Sequence, residues 1–134
     1  MEKGNSLSED IRNTKHKLKK DAFSKMRGGT SQFLNLFCAN CQTWLLLYQK
    51  DGHGALLRLY FDRIHAPKNL TELRYHYTIH TVNDIPLLKC PSCNTFIAVA
   101  MIYDGEKRLA YRLIHGTFSK KKSGGIIPSS SPLP

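Results

Sequence analysis

Two Cys-x-x-Cys pairs, Cys38-Ala39-Asn40-Cys41 and Cys90-Pro91-Ser92-Cys93, account for all four cysteines of this chain. A tight Cys-x-x-Cys turn presents two sulfurs to one ion, and a second such turn completes a tetrahedron. The spacing predicts one closed thiolate site made by Cys38, Cys41, Cys90 and Cys93. It would hold one Zn2+ per chain, or iron in the same cage. Four thiolates leave no coordination position for water, so hydrolysis at the metal is not expected. No cysteine is left over as a nucleophile. No Ser-His-Asp order, phosphate-cradling glycine loop or acid/base carboxylate pair stands out either. The chain therefore reads as a binding or structural protein and not as an enzyme. His76 and His80, four apart, and His65 and His115, at two strand ends, read as surface or half-buried histidines and not as ligands.

The elements that must position the cysteines follow from patterning. The pairs lie about fifty residues apart, too far for a short zinc ribbon, so a structured segment must connect them. Residues 33–118 read as strands and turns. An apolar stretch over 43–49 meets a turn at Lys50-Asp51-Gly52-His53-Gly54 and a return strand over 55–64, with Leu57, Leu59 and Phe61 on one face. Residues 69–74 suit one helical turn, and residues 75–82 alternate as a strand does. The second pair repeats the scheme, with an apolar strand over 95–103, a turn at Asp104-Gly105-Glu106-Lys107 and a return over 108–118. The expected fold is mostly β: two β-hairpin units joined by one four-cysteine zinc site, with a short basic N-terminal helix or arm. Residues 1–32 form the arm, 33–118 the zinc-binding β domain, and 119–134 a disordered Lys/Ser/Pro tail. In the arm, Ser8-Glu9-Asp10 suits a helix start, and Leu7, Ile11, Leu18 and Ala22 mark a narrow apolar stripe.

Formal charge is +10. Most of the excess falls on the two flanks, and a zinc tetrathiolate would add negative charge at the centre. Apolar runs are too short to cross a bilayer, and residues 1–20 lack an apolar stretch of signal-peptide type. Those features predict a cytoplasmic protein in a reducing compartment, where thiols bind metal and disulfides are rare. Arg58, Arg63, Arg108 and Arg112 lie on the hairpins among tyrosines 60, 75, 77 and 111. Arginine for phosphate and tyrosine for base stacking is the mixture that single-stranded RNA or DNA requires. The alternative is a zinc-stabilised module that binds a protein partner, with the aromatic segment 44–48 partly exposed.

Two Cys-x-x-Cys knuckles about fifty residues apart, each beside a hairpin, resemble the β-tent group, which includes Yippee-type proteins and methionine sulfoxide reductase B. Zinc ribbons and rubredoxin-like knuckles are looser relatives in pattern. The resemblance implies that Cys38, Cys41, Cys90 and Cys93 are metal ligands. The reductase also needs a reactive cysteine on a late strand, where this chain reads Tyr111-Arg112-Leu113-Ile114-His115. Reductase activity is therefore not implied. The stretch from Tyr48 to Gly52, with Arg58-Leu59-Tyr60, also looks like small bacterial zinc-knuckle proteins.

Overall fold

The computed structural model describes residues 15–128; the expected helix start at Ser8-Glu9-Asp10 lies outside them, as do residues 129–134 of the expected tail. A short helix α1 (Ala22–Met26) precedes the strands. These are β1 (Ser31–Cys38), β2 (Trp44–Asp51), β3 (Arg58–Tyr60), β4 (Ile64–Ala66), β5 (Leu88–Lys89), β6 (Phe96–Tyr103), β7 (Arg108–Leu113) and β8 (Phe118–Ser123). Between β4 and β5 lie two single-turn helices, α2 (Lys68–Thr71) and α3 (Leu73–His76), and a 3-10 segment, Ile79–Asp84. All strand pairings are antiparallel and build two four-stranded sheets, ordered β4-β2-β1-β8 and β3-β7-β6-β5.

The first sheet is covered on both faces. Leu34, Leu36, Leu46 and Tyr48 face Leu59, Ile97 and Tyr111 of the second sheet. On its other face, Phe33, Trp44, Leu47 and Ala66 pack under Ile127 and Leu18. This double burial explains why β2 reads Trp-Leu-Leu-Leu-Tyr without alternation, as strands buried on both faces do. Trp44 donates its indole N–H to Asn35 Oδ1 at 2.8 Å, so the polar end of each side chain is satisfied inside the core.

Two expectations about elements need correction. Residues 55–64 do not return along β2. Gly52 and Gly54, at φ of +79° and +104°, turn the chain away, and β3 crosses to the second sheet to pair with β7. The strand that returns along β2 is β4. Leu57 is consequently 60% exposed, while Leu59 and Phe61 are buried. Residues 75–82 are α3 and the 3-10 segment, not a strand. Thr78 accepts from His80 N and Thr81 Oγ1 accepts from Thr78 N, a reciprocal cap that competes with extended pairing.

The described parts of the flanks join the fold. Residues 119–123, expected in the tail, pair with the free edge of β1 as part of β8. Their lysines exclude them from a core but suit an edge strand. Residues 15–32, expected in the arm, are tied down by side chains. The fully buried amide of Gln49 accepts from Lys19 N and donates to Lys19 O, both at 2.7 Å, in the manner of a neighbouring strand. His16 N donates to Gly125 O at 2.9 Å. Asp21 caps α1 and also pairs with Arg63.

Candidate metal centre

Each Cys-x-x-Cys is the tip of a hairpin, the first between β1 and β2 in one sheet, the second between β5 and β6 in the other. The two tips have the same local structure. In the first, Cys38 N donates to Thr43 O at 2.8 Å and Gln42 N donates to Cys38 O at 2.8 Å; in the second, Cys90 N donates to Thr95 O and Asn94 N to Cys90 O, both at 2.9 Å. Gln42 and Asn94, each the residue after the second cysteine, sit at φ of +67° and +64°. That left-handed residue turns the chain back into a strand so that both sulfurs face the same point.

The four Sγ atoms lie within 4.8 Å of one another. Cys38 Sγ is 3.6 Å from Cys93 Sγ, and Cys41 Sγ is 3.5 Å from Cys90 Sγ. These separations exclude disulfides, whose sulfurs are about 2.05 Å apart. A metal–sulfur distance of about 2.3 Å in a tetrahedron requires sulfurs about 3.8 Å apart, so four thiolates in this arrangement fit a metal ion closely. The contacts are reciprocal: the first cysteine of each knuckle meets the second of the other. Burial follows the same pseudo-twofold relation, with Cys38 and Cys90 buried, and Cys41 and Cys93 toward solvent.

Polar neighbours favour the thiolate form at the outer pair. Thr95 Oγ1 lies 3.0 Å from Cys93 Sγ, and with Asn40 Nδ2 at 3.4 Å it holds that thiol down to about 5. Thr43 Oγ1, 3.1 Å from Cys41 Sγ, likewise lowers Cys41. Burial pushes Cys90 up to about 11. A bound cation would offset that burial penalty directly. Sequence reading passed over the two threonines, although a signal was there: both pairs continue Cys-x-x-Cys-x-Thr. The hydroxyl then falls two residues past a ligand, within hydrogen-bonding reach of its sulfur.

The four arginines expected at a nucleic-acid surface are not gathered on one. Arg63 is 1% exposed; its Nε donates to Asp51 at 2.7 Å and its Nη2 to Asp21. Arg108 is also buried. It bridges Asp62 and Glu106, and its guanidinium lies 3.9 Å from the ring centroids of both Phe23 and Tyr60. Both were read as phosphate contacts, and both are internal: their charges are neutralised within the fold. Arg58 and Arg112 remain accessible, opposite one another in the β3–β7 pairing, with Arg58 stacked 4.5 Å over Tyr103. Of the tyrosines, Tyr111 is buried and donates to Pro86 O, while Tyr75 is 74% exposed. The segment 44–48, expected to be partly exposed for a protein partner, is buried throughout. His76 and His80 are exposed and lie on helical turns, not on one strand face. No described helix is long and apolar enough to cross a membrane.

No protein-family model matches the chain, and neither the curated proteins nor the solved structures contain a significant match to it. Function must therefore be read from the residues themselves.

Proposed function

We propose that this protein is a structural-zinc β domain that binds single-stranded RNA or DNA through surface lysines. The observation that carries the metal half is the pair of identical knuckles, one per sheet, whose four sulfurs converge within 4.8 Å. Such a site is closed and all-thiolate, which suits zinc held for folding and not for catalysis.

The nucleic-acid half rests on charge placement. A groove of about 640 Å³ is lined by Lys15, Lys17 and Lys20 on one side and by Ser123 and Gly124 on the other, with Phe33 between them. Lys120, Lys121 and Lys122 lie on the outer strand β8, which leads into that second wall; Lys121 shares the groove's face, and Lys120 and Lys122, opposite Leu36 and Leu34, take the other. All six lysines are exposed. A cationic track is what a phosphate backbone requires, while Phe33 is buried beneath the groove and offers no face for stacking. The phosphate contacts are thereby assigned to these lysines, with Arg58 and Arg112 as outlying contacts on the other sheet. Burial of the segment 44–48 removes the feature on which the protein-partner alternative rested.

Two measurements test the reading. Native mass spectrometry is expected to show one zinc per chain. Fluorescence anisotropy with a labelled single-stranded oligonucleotide should give log K falling with log salt, by about 0.7 per phosphate contacted, so roughly 4 for six lysines. Replacing Lys120, Lys121 and Lys122 with Gln should reduce that slope by about 2. An unchanged slope would remove these lysines from the interface.

A further inference from the structure

The end of β2 carries a second cationic feature, remote from the lysine groove in its lining residues. Lys50 is only 8% exposed. Its ammonium has three N–H donors, and its described partner is a single carbonyl, Gly52 O at 2.9 Å. No carboxylate among the described residues pairs with it. The neighbouring Asp51 does not serve, because its two oxygens are taken by Ser31 and Gln49 on one side and Arg63 on the other. A buried cation without a counter-charge is costly, and a protein retains one where something outside the chain supplies the anion.

The surroundings of Lys50 have the chemistry for that anion. A cavity of about 290 Å³ is lined by Lys50, Arg58, Arg27, Tyr48 and Tyr60, and also by Asp51, whose carboxylate is already occupied by Ser31, Gln49 and Arg63. Arg58 Nε donates to Tyr60 Oη at 3.2 Å, and Arg27 Nη2 donates to the same oxygen at 3.3 Å. With its lone pairs occupied in this way, Tyr60 is left with its own O–H to donate. Tyr48 Oη accepts from Tyr60 N at 2.9 Å, and its own O–H has no acceptor among the described residues. Arg27 is neutralised by Glu106, but Arg58 has no described carboxylate partner. The wall thus combines two uncompensated cations with two hydroxyl donors. Donors without matching acceptors specify an oxyanion ligand.

We propose that this cavity is a binding site for a phosphate group, carried on a small phosphomonoester, with Lys50 and Arg58 as the charge contacts and Tyr48 and Tyr60 as hydroxyl donors. The volume admits a phosphate together with part of the group that bears it, at the lower end of the range for small-ligand pockets. The inference does not rest on the nucleic-acid reading: the cavity and the lysine groove share no lining residue, and Arg58 is only an outlying contact of that reading.

The test is thermal unfolding of the full chain in inorganic phosphate against sodium chloride at matched ionic strength. Phosphate should raise the midpoint by roughly 5 °C over chloride near saturation. Lys50→Met, which keeps the length of the side chain and removes its charge, should abolish that difference. Lys68→Gln, exposed and outside the cavity, should retain it. Arg58→Met provides a second variant should Lys50→Met not fold, and should weaken phosphate binding at least tenfold by calorimetry. Equal midpoints in phosphate and chloride, or a full phosphate response in a folded Lys50→Met protein, would overturn the assignment.

Discussion

Metal removal should destabilise this protein by an amount that follows from topology. The two knuckles sit in different sheets, and Cys41 and Cys90 are 49 positions apart in the chain. An ion bound by both is a cross-link that closes a loop of about 50 residues. The loop-closure relation used for disulfides puts the entropy removed from the unfolded chain at about 4 kcal/mol at 25 °C. For a domain of this size that corresponds to roughly 12–20 °C in Tm. Trp44 is the only tryptophan, is buried, and lies one residue beyond Thr43 of the first knuckle, so its fluorescence reports unfolding next to the site. Thermal scans before and after a strong chelator, with released zinc measured in parallel, give the number. The pseudo-twofold relation adds a sharper expectation. Cys41→Ser and Cys93→Ser should cost similar amounts, and so should Cys38→Ser and Cys90→Ser, because each pair occupies equivalent positions. Complete zinc release with Tm changed by less than about 3 °C would refute the cross-link. Strongly unequal costs within a pair would refute the equivalence of the knuckles.

Further predictions concern the charges inside the fold. Arg63→Met should cost about 3–5 kcal/mol at neutral pH in urea unfolding, because it strands the Asp51 carboxylate in the interior, and adding Asp51→Asn should recover part of that loss. The Arg63 guanidinium holds Asp21 down to about 2, and hydrogen bonds from Ser31, Arg63 and Gln49 outweigh burial to hold Asp51 below its ordinary range. Both depressions stabilise the native state above the unfolded carboxylate pKa of about 3.9 and are lost as pH falls through the native values, so acid unfolding should begin at higher pH in Arg63→Met than in the native protein. His65 is lowered to about 4 by burial, with the nearby charges of Lys19, His16 and Arg63 adding to it. A base depressed in the native state contributes stability above its unfolded pKa of about 6.5, so stability should decline from there toward pH 4, and His65→Gln should flatten that slope.

The metal ligands were legible because a Cys-x-x-Cys turn is a local object. Four residues fix where two sulfurs point, and only the approach of the two turns depends on the fold. The β class was legible for a similar reason, since residues 43–51 and 95–103 carry apolar side chains at a density that only sheet cores absorb. Pairing partners were not. A strand pattern states which face is buried and not which neighbour buries it, so β3 could be recognised but not assigned to the second sheet. The lysines of β8 concealed a strand for the complementary reason: an edge with one partner, β1, needs no apolar face. Arg63 and Arg108 were misread because a guanidinium has the same sequence signature whether it faces solvent or a carboxylate. Asp21 and Asp62, which decide the matter, are 42 and 46 positions away in the chain.

That burial of arginine changes what the basic composition means. Asp21, Asp51, Asp62 and Glu106 are four of the seven carboxylate residues among the described residues, and all four are bound by Arg27, Arg63 or Arg108. Asp51 and Glu106 are drawn inward by these pairings, to side-chain exposures of 5% and 8%, while Asp21 and Asp62 stay partly exposed at 43% and 32%. The arginines therefore contribute to a cationic exterior without touching anything outside the protein. They occupy these acids in ion pairs, and the lysines of β8 have no carboxylate partner among the described residues. Because Lys-to-phosphate attraction across water is weak and readily screened, an uncompensated cluster is what makes such attraction effective at physiological salt. Exposing those carboxylates should thus weaken polyanion binding even where no phosphate contact is altered. A variant such as Arg108→Met, provided that it stays folded, would separate this long-range contribution from the direct one made by Lys120, Lys121 and Lys122.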